Sequence, residues 1–160
     1  MKLTFARVAV CASLSIAVSG CVATKPVVDY TPEQLETLQI ELDGEGVVKS
    51  GTYTDNINDL IWTCQRDFPV RLDVDVKDMK AKLKLQVSGR FVRSEARMNH
   101  LGEVTTVANV TSYEEDGTNR YSFKTEVQLR QQRARVTVGR GDSGLAGCPT
   151  GWFDLAKADS

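Results

Sequence analysis

The chain has 160 residues, a length that suits one domain with a single hydrophobic core. It carries 20 basic and 21 acidic residues, a formal charge of −1 at pH 7. Nucleic-acid binding depends on clustered Lys and Arg that neutralise phosphates, so this balance argues against a nucleic-acid partner.

The first twenty residues have the pattern of an export signal. Lys2 and Arg7 make a short basic start, and an apolar run follows over residues 8–18. That run is too short to cross a bilayer as a stable helix. We therefore predict a signal peptide at 1–20, whose removal takes away two basic residues and shifts the formal charge from −1 to −3.

The signal ends in Val18-Ser19-Gly20-Cys21. Small residues directly before a cysteine resemble the lipobox of a bacterial lipoprotein precursor, a resemblance that covers only the first two dozen residues. It implies cleavage after Gly20 and acylation of Cys21, with chains such as palmitate. The alternative is an ordinary secreted protein cut near Gly20 by the general signal peptidase.

Lipidation of Cys21 implies attachment to a membrane without a spanning helix, since each buried methylene contributes about 0.8 kcal/mol. In lipoproteins of this kind an Asp after the acylated Cys retains the protein at the inner membrane, and here that position is Val22. The resemblance therefore favours the outer membrane, with the domain facing the periplasm.

The remaining cysteines are expected to pair. Cys11 leaves with the signal and Cys21 is taken by lipid, so Cys64 and Cys148 remain in an oxidising compartment. We predict a disulfide between them. The alternative is a metal site that also uses His100, although these ligands lack the close spacing of typical metal sites.

Residues 21–44 are predicted to form a tether followed by a helix of one or two turns. Thr31-Pro32-Glu33-Gln34 matches a capping box with Pro at the first helical position. Apolar residues at 38, 40 and 42 also alternate as in a strand, but the Asp-Gly-Glu-Gly sequence at 43–46 is expected to end the segment. The β domain is assigned to 45–160.

The clearest strands lie in residues 68–87, where apolar and polar residues alternate. A two-residue turn at Lys77-Asp78 predicts a hairpin with Val74 opposite Ala81 on the apolar face. The same register sets Asp75 opposite Lys80 on the charged face, which we interpret as solvated.

Two more hairpins are predicted further along. A turn at Asp116-Gly117 sets Val110 opposite Phe123, and a turn at Gln131-Gln132 sets Val127 against Val136. With shorter strands before and after, the chain is all-β, with seven or eight antiparallel strands in meander order. Because the disulfide joins an early strand to a late one, we expect a small closed barrel, with a β-sandwich as the alternative.

Sequence motifs give little support for catalysis. The chain has no Gly-x-Ser-x-Gly elbow, His-Glu-x-x-His motif, phosphate loop or dinucleotide fingerprint. We predict that the protein is not an enzyme and uses no cofactor or metal. A Ser/His/Asp triad assembled in space is the open alternative.

The candidate binding residues are Arg130, Arg133 and Arg135. In the predicted register Arg130 lies across from Arg133, an unfavourable contact that suggests an acidic partner such as lipid headgroups, an acidic protein or an anionic wall polymer. The alternative is that neighbouring acids such as Glu126 neutralise the group. Trp62 and Trp152, close to the two cysteines, are expected to pack in the core.

Trp62-Thr63-Cys64, the alternating strands and the late Cys are similar to the membrane-bound inhibitors of C-type lysozyme, which are lipid-anchored β-barrels with one such bridge. That family inserts a Ser-Gly-x-x-Tyr loop into the lysozyme cleft. The nearest segment here, Ser50-Gly51-Thr52-Tyr53, is one residue shorter and precedes the first Cys. No inhibitory residue is therefore transferred to this chain.

Three functions follow as hypotheses. The first is an accessory module of the cell envelope that binds an envelope protein through strand edges or the Arg group. The second is an inhibitor or immunity protein directed against a lysozyme-like, wall-degrading enzyme. The third is a carrier of a small ligand, which needs a cavity of several hundred Å³. The inward-facing Val, Leu and Ala residues suffice to fill a small barrel, which disfavours the carrier.

Overall fold

The computed structural model describes residues 27–55, 60–115, 117–140 and 147–158. The predicted signal and Cys21 lie outside the described residues. Within them the chain forms one short helix and twelve strands. The bounds are α1 Pro32–Glu36, β1 Gln39–Val48, β2 Gly51–Asp55, β3 Leu60–Cys64, β4 Phe68–Lys77, β5 Lys80–Val87, β6 Arg90–Arg97, β7 Glu103–Glu114, β8 Gly117–Gln128, β9 Arg133–Arg140, β10 Cys148–Pro149, β11 Phe153–Asp154 and β12 Ala156–Lys157.

Helix α1 confirms the short helix predicted from the capping box. The Thr31 hydroxyl accepts a hydrogen bond from the Gln34 N–H, and the Gln34 side chain accepts one from the Thr31 N–H. A five-residue helix is not stable alone, so the complete burial of Leu35 must hold it against the sheets. Among the described residues, no helix is long and apolar enough to cross a bilayer.

The strands form two antiparallel sheets. The first has the order β12-β1-β4-β5-β6, and the second has β10-β9-β8-β7 with β11 also paired to β9. Strands β2 and β3 form a separate hairpin. The all-β antiparallel fold is thus confirmed, but the expected closed barrel is not formed within the described residues, and the β-sandwich alternative fits.

The barrel does not close because strands β6 and β7 each end a sheet and share no backbone ladder. Side chains bridge them instead. The hydroxyl oxygens of Ser94 and Thr106 lie 3.0 Å apart, and the Arg90 guanidinium donates to the Ser112 hydroxyl at 2.9 Å.

The core lies between the two sheets and follows the predicted alternation. The inner-face residues of β4 and β5 are at most 8% exposed, as are most of their counterparts on the second sheet. These residues are Val70, Leu72, Val74, Val76, Ala81, Leu83, Leu85 and Val87 on the first sheet and Val104, Phe123, Val127, Ala134 and Val136 on the second. Burying each large apolar side chain contributes about 1.5–3 kcal/mol.

The register of the first hairpin differs from the prediction by two residues. Val74 pairs with Leu83 and Asp75 with Lys82, around a turn at Asp78-Met79 in which both residues have positive φ. Because side chains alternate with period two, an even shift leaves every residue on its predicted face. In the observed register Val87 pairs with Val70, whereas the predicted register set it opposite Phe68.

The next two hairpins show the same two-residue error. Val110 pairs with Tyr121 instead of Phe123, and Val127 pairs with Ala134 instead of Val136. The connection between β8 and β9 is wider than predicted because Leu129 turns inward. It is 1% exposed, and its N–H donates to the Gly102 carbonyl at 2.9 Å.

The prediction that residues 43–46 end a segment is wrong, because β1 runs through them and across the predicted boundary at 44/45. The two glycines there serve close packing instead of a turn. A Cβ on Gly44 would meet the Asp154 carbonyl oxygen, and one on Gly46 would lie 2.5 Å from the Phe153 ring. Glycine lets the C-terminal segment lie directly on β1.

The predicted disulfide between Cys64 and Cys148 is confirmed, with the Cα atoms 6.4 Å apart. It ties the β2–β3 hairpin to β10 across a separation of 84 residues, and loop-closure arithmetic gives a stabilisation of about 4.5 kcal/mol. Both sulfur atoms are bonded, so the alternative metal site with His100 is excluded. His100 is exposed in the β6–β7 connection.

We expect Gly46→Ala to lower the free energy of unfolding by about 1–3 kcal/mol, because the added methyl group overlaps the Phe153 ring. Adding Phe153→Ala frees that space, so the double variant should lose at least about 1 kcal/mol less than the sum of the single losses. Urea unfolding followed by tryptophan fluorescence measures all three variants. Strictly additive losses would contradict the packing argument.

The matched control is Gly89→Ala. Gly89 has φ +76 and nothing within 4 Å of a built Cβ, so its substitution costs backbone strain of about 1 kcal/mol without a clash. Its loss should be independent of Phe153→Ala.

Candidate functional site

The first candidate surface is the outer face of β9. Arg133 and Arg135 alternate along the strand with the buried Ala134 and Val136, so both guanidinium groups lie on the side away from the core. The Trp152 ring covers them, with its centroid 4.5 Å from the guanidinium carbon of Arg133 and 4.8 Å from that of Arg135. We call these three residues the Trp–Arg face.

The two arginines of this face have polar partners on β8. The register sets Arg135 opposite Glu126, with Nη2 2.7 Å from Oε2, and sets Arg133 opposite Gln128, with a 2.7 Å hydrogen bond from Nε to Oε1. Lys124 reaches the same Glu126 carboxylate at 3.4 Å. Neutralisation by Glu126, which the sequence left as the alternative, is thus found for Arg135, whereas Arg133 meets an uncharged Gln128.

Arg130 does not join this face. Its guanidinium donates to the Tyr30 carbonyl at 3.0 Å and lies 3.6 Å from the Asp29 carboxylate, while its own carbonyl accepts from the Val28 N–H at 2.8 Å. The residue fastens the N-terminal segment to the β8–β9 connection. The predicted contact between Arg130 and Arg133 is absent because Gln128, not Arg130, lies opposite Arg133.

Trp152 was expected in the core, but its side chain is 38% exposed. The neighbouring Phe153 packs against the core, so the two aromatic residues point to opposite sides of the segment. Strand-like alternation of Trp152 and Phe153 was the available signal for this exposure. Trp62 behaves as expected: it pairs with Tyr53 across the β2–β3 hairpin and packs against the core.

The second candidate is an open cleft of about 1050 Å³ at the end of the sandwich beside the disulfide, which we call the disulfide-end cleft. Its apolar lining comes from strands β4 to β9 of the two sheets and from strand β3 of the β2–β3 hairpin. These residues are Cys64, Phe68, Val87, Phe91, Val92, Val110, Tyr121, Phe123 and Val138. Among the described residues, the charged ones that line it are Arg66 and Arg90, and none is an Asp or Glu.

Sequence reasoning missed this cleft because it assumed that a closed barrel would be filled. Apolar patterning identifies the inner face of each strand but not where two strands separate. The cleft lies where β6 and β7 have no ladder between them, which depends on tertiary packing.

The connection that carries Arg66 and Phe68 to the cleft is held by Asp67. The Asp67 carboxylate accepts from the Ser50 N–H at 2.7 Å and from the Lys49 ammonium at 3.0 Å. These bonds, the backbone one most of all, lower the pKa of Asp67 to about 2. They fasten the β3–β4 connection to the β1–β2 connection.

The outer face of the first sheet is a third surface, a shallow groove of about 860 Å³ lined by charges of both signs. Arg71 contacts Asp43 at 2.9 Å and Asp73 at 3.3 Å, and Lys84 lies 3.6 Å from Asp73. These exposed pairs neutralise one another, as expected for a solvated face. Among the described residues, no group of three His, Cys, Asp or Glu side chains could hold a metal ion.

The chain matches no protein-family model, no curated protein and no solved structure. Its function is therefore argued from the surfaces described above.

We expect Asp67→Asn to lower the thermal unfolding midpoint at pH 7. The carboxylate titrates at about pH 2 in the folded protein and at its ordinary value, 3.8, when unfolded. Its stabilisation is thus present above pH 4 and is lost as the pH falls through 2. Thermal unfolding at pH 7, 4 and 2 should show the gap between variant and parent closing at the lowest pH.

Lys49→Gln is the control for this prediction. It removes the ion pair but keeps the Ser50 N–H bond, the largest cause of the lowered pKa, so its midpoint should fall less than that of Asp67→Asn. A gap for Asp67→Asn that is as large at pH 2 as at pH 7 would exclude this carboxylate as the cause.

Proposed function

We propose that the protein is a lipid-anchored lipoprotein of the bacterial cell envelope, held in the outer membrane through Cys21, with its β-sandwich facing the periplasm. In this proposal it has no catalytic activity and binds another envelope protein. The lipobox Val18-Ser19-Gly20-Cys21 supports the anchor. The Cys64–Cys148 disulfide supports an oxidising compartment.

The N-terminal segment limits how far the anchored domain can lie from the membrane. Val28 is hydrogen-bonded to Arg130 at the β8–β9 connection, and the seven residues from Cys21 to Val28 can span at most about 25 Å. An anchor on Cys21 therefore keeps this end of the sandwich close to the membrane. The disulfide-end cleft lies further along β8, where Phe123 and Tyr121 are five and seven residues from Gln128, about 17–24 Å at about 3.4 Å per residue.

The Trp–Arg face is the proposed binding surface, and the single observation that carries it is the half-exposed Trp152 ring stacked on two arginines. Trp and Arg are the residue types enriched where truncation costs most in protein interfaces. The stacking and the bonds to Glu126 and Gln128 fix these side chains in advance, so binding loses little side-chain entropy.

The neutralisation of Arg135 by Glu126 favours a protein partner over an anionic polymer. A polymer is attracted by a net field, and the shared carboxylate reduces the field of Lys124 and Arg135. A protein can combine an apolar contact with the indole and a hydrogen bond to a guanidinium edge.

The alternative function, inhibition of a lysozyme-like enzyme, has less support. Gly51, Thr52 and Tyr53 belong to strand β2, and the Tyr53 hydroxyl donates to the Lys49 carbonyl at 2.9 Å. This segment does not project as a free loop, whereas the resemblance requires one that enters an enzyme cleft.

Metabolic labelling with an alkyne analogue of palmitate tests the anchor. We expect the full-length chain to carry the label in the membrane fraction, and Cys21→Ser to lose both the label and the membrane location. Cys11→Ser is the matched control, because that cysteine lies within the predicted signal, and it should keep both. Label retained on Cys21→Ser would place the acyl chain elsewhere and overturn the proposed anchor.

Site-specific photo-crosslinking in intact cells tests the binding surface. We expect a discrete adduct to one envelope protein with p-benzoylphenylalanine at position 152, and a several-fold weaker adduct when Arg133→Ala is added. Position 113 is the matched control, since Tyr113 is 84% exposed on β7 and is not a lining residue of the disulfide-end cleft. Equal adducts from both positions, or none from 152, would overturn the assignment of this face. An adduct to a wall-degrading enzyme would instead select the inhibitor.

A further inference from the structure

The disulfide-end cleft opens directly onto the hydrophobic core. Val87 and Val92 are each 8% exposed and Phe123 is 7% exposed, whereas Leu72 and Leu83, further from the cleft, are 0% and 2% exposed. The volume of about 1050 Å³ is at the upper end of the range for small-molecule sites. The cleft therefore offers a ligand an apolar surface continuous with the core.

The mouth of the cleft has the opposite character. It carries two guanidinium groups, Arg66 and Arg90, and no carboxylate is among the lining residues that the structure describes. The Ser112 hydroxyl, 3% exposed, accepts a 2.9 Å hydrogen bond from Arg90 Nη1 and orients this side chain. One of the five guanidinium N–H donors is used in that bond.

We propose that the disulfide-end cleft binds a single anionic amphiphile, with its acyl chain between the two sheets and its carboxylate or phosphate head on Arg90 and Arg66. The apolar lining residues would contact the acyl chain, and the two guanidinium groups, which no described carboxylate opposes, would bind the anionic head. A cationic head would be repelled at the mouth.

An extended peptide inserted between the unpaired edges of β6 and β7 fits the structure less well. The hydroxyl oxygens of Ser94 and Thr106 are 3.0 Å apart across that gap. An inserted strand needs about 4.8 Å on each side, so the two edges would have to separate. An acyl chain entering from the end of the sandwich requires no such opening.

This site is separate from the Trp–Arg face, so either binding proposal can be wrong while the other holds.

Fluorescence titration of the mature chain, with Cys21→Ser to keep it in solution, tests the proposal. We expect 11-(dansylamino)undecanoic acid to bind with a saturable, blue-shifted emission at one site per chain. Dodecanoate and dodecyl phosphate should displace it at concentrations at least tenfold lower than dodecyltrimethylammonium. Displacement by phosphatidylglycerol vesicles would make a membrane phospholipid the source of the ligand, and no displacement by them would make it a free amphiphile.

Matched variants locate the binding. Arg90→Gln should weaken dodecanoate binding about tenfold, because it removes a charged hydrogen-bond donor at the head. Val110→Phe, which fills part of the cleft, should also weaken it. Arg93→Gln is the control, since Arg93 lies on the same strand but lines the outer groove, and it should bind as the parent does. Thermal unfolding verifies that each variant is folded.

Three results would overturn the proposal: no saturable probe binding by the folded parent chain, equal displacement by dodecanoate and dodecyltrimethylammonium, or equal weakening by Arg90→Gln and Arg93→Gln. A polypeptide that co-purifies with the chain in native mass spectra and blocks the probe would assign the cleft to a peptide and also overturn it.

Discussion

The two sheets depend on one C-terminal segment, residues 148–158, which is attached to both of them. Strands β10 and β11 pair with β9 in the second sheet, and β12 pairs with β1 in the first. Between them Leu155 is completely buried, and its N–H donates to the Gln132 carbonyl at 2.7 Å. The disulfide between Cys64 and Cys148 links the β2–β3 hairpin to this segment. Gly44 and Gly46 allow the segment to lie on β1 at all, because any side chain there would collide with it.

The C-terminal segment joins the two sheets along one side only, and this explains where both candidate surfaces lie. At the opposite side β6 and β7 meet only through side chains, so the sandwich is open at its disulfide end and the core is accessible there. The same C-terminal segment carries Trp152 outward over β9, while Phe153 turns inward against Gly46. Strand β9 thus contributes to both surfaces: Arg133 and Arg135 lie beneath the indole, and Val138 lines the cleft.

The sequence predicted the parts of this fold that depend on period-two alternation. The inner faces of β4, β5 and β8, the short capped helix and the cysteine pair were all correctly assigned. All three hairpin registers were wrong by two residues, because alternation does not distinguish registers that differ by an even number. The glycines of β1 were predicted to end a segment, since their role appears only when a segment more than a hundred residues away packs on them. The open cleft was missed for a similar reason. It forms because β6 and β7, although both are clearly patterned as strands, share no backbone ladder.

The two-residue error in register affects the prediction for Arg130, Arg133 and Arg135 more than the prediction of the fold. In the predicted register Arg130 faced Arg133, and repulsion between them was the reason to expect an acidic partner. In the observed register Arg133 meets Gln128 and Arg135 meets Glu126, so the polar groups complement one another without a ligand. The feature that favours binding is therefore the exposed indole that these arginines support, and not uncompensated charge. In the disulfide-end cleft, by contrast, no Asp or Glu of the described lining faces Arg66 and Arg90, which lie beside apolar residues and not on a polar sheet face. A cation beside an accessible apolar volume selects an amphiphile, whereas a cation paired on a sheet face stabilises the sheet.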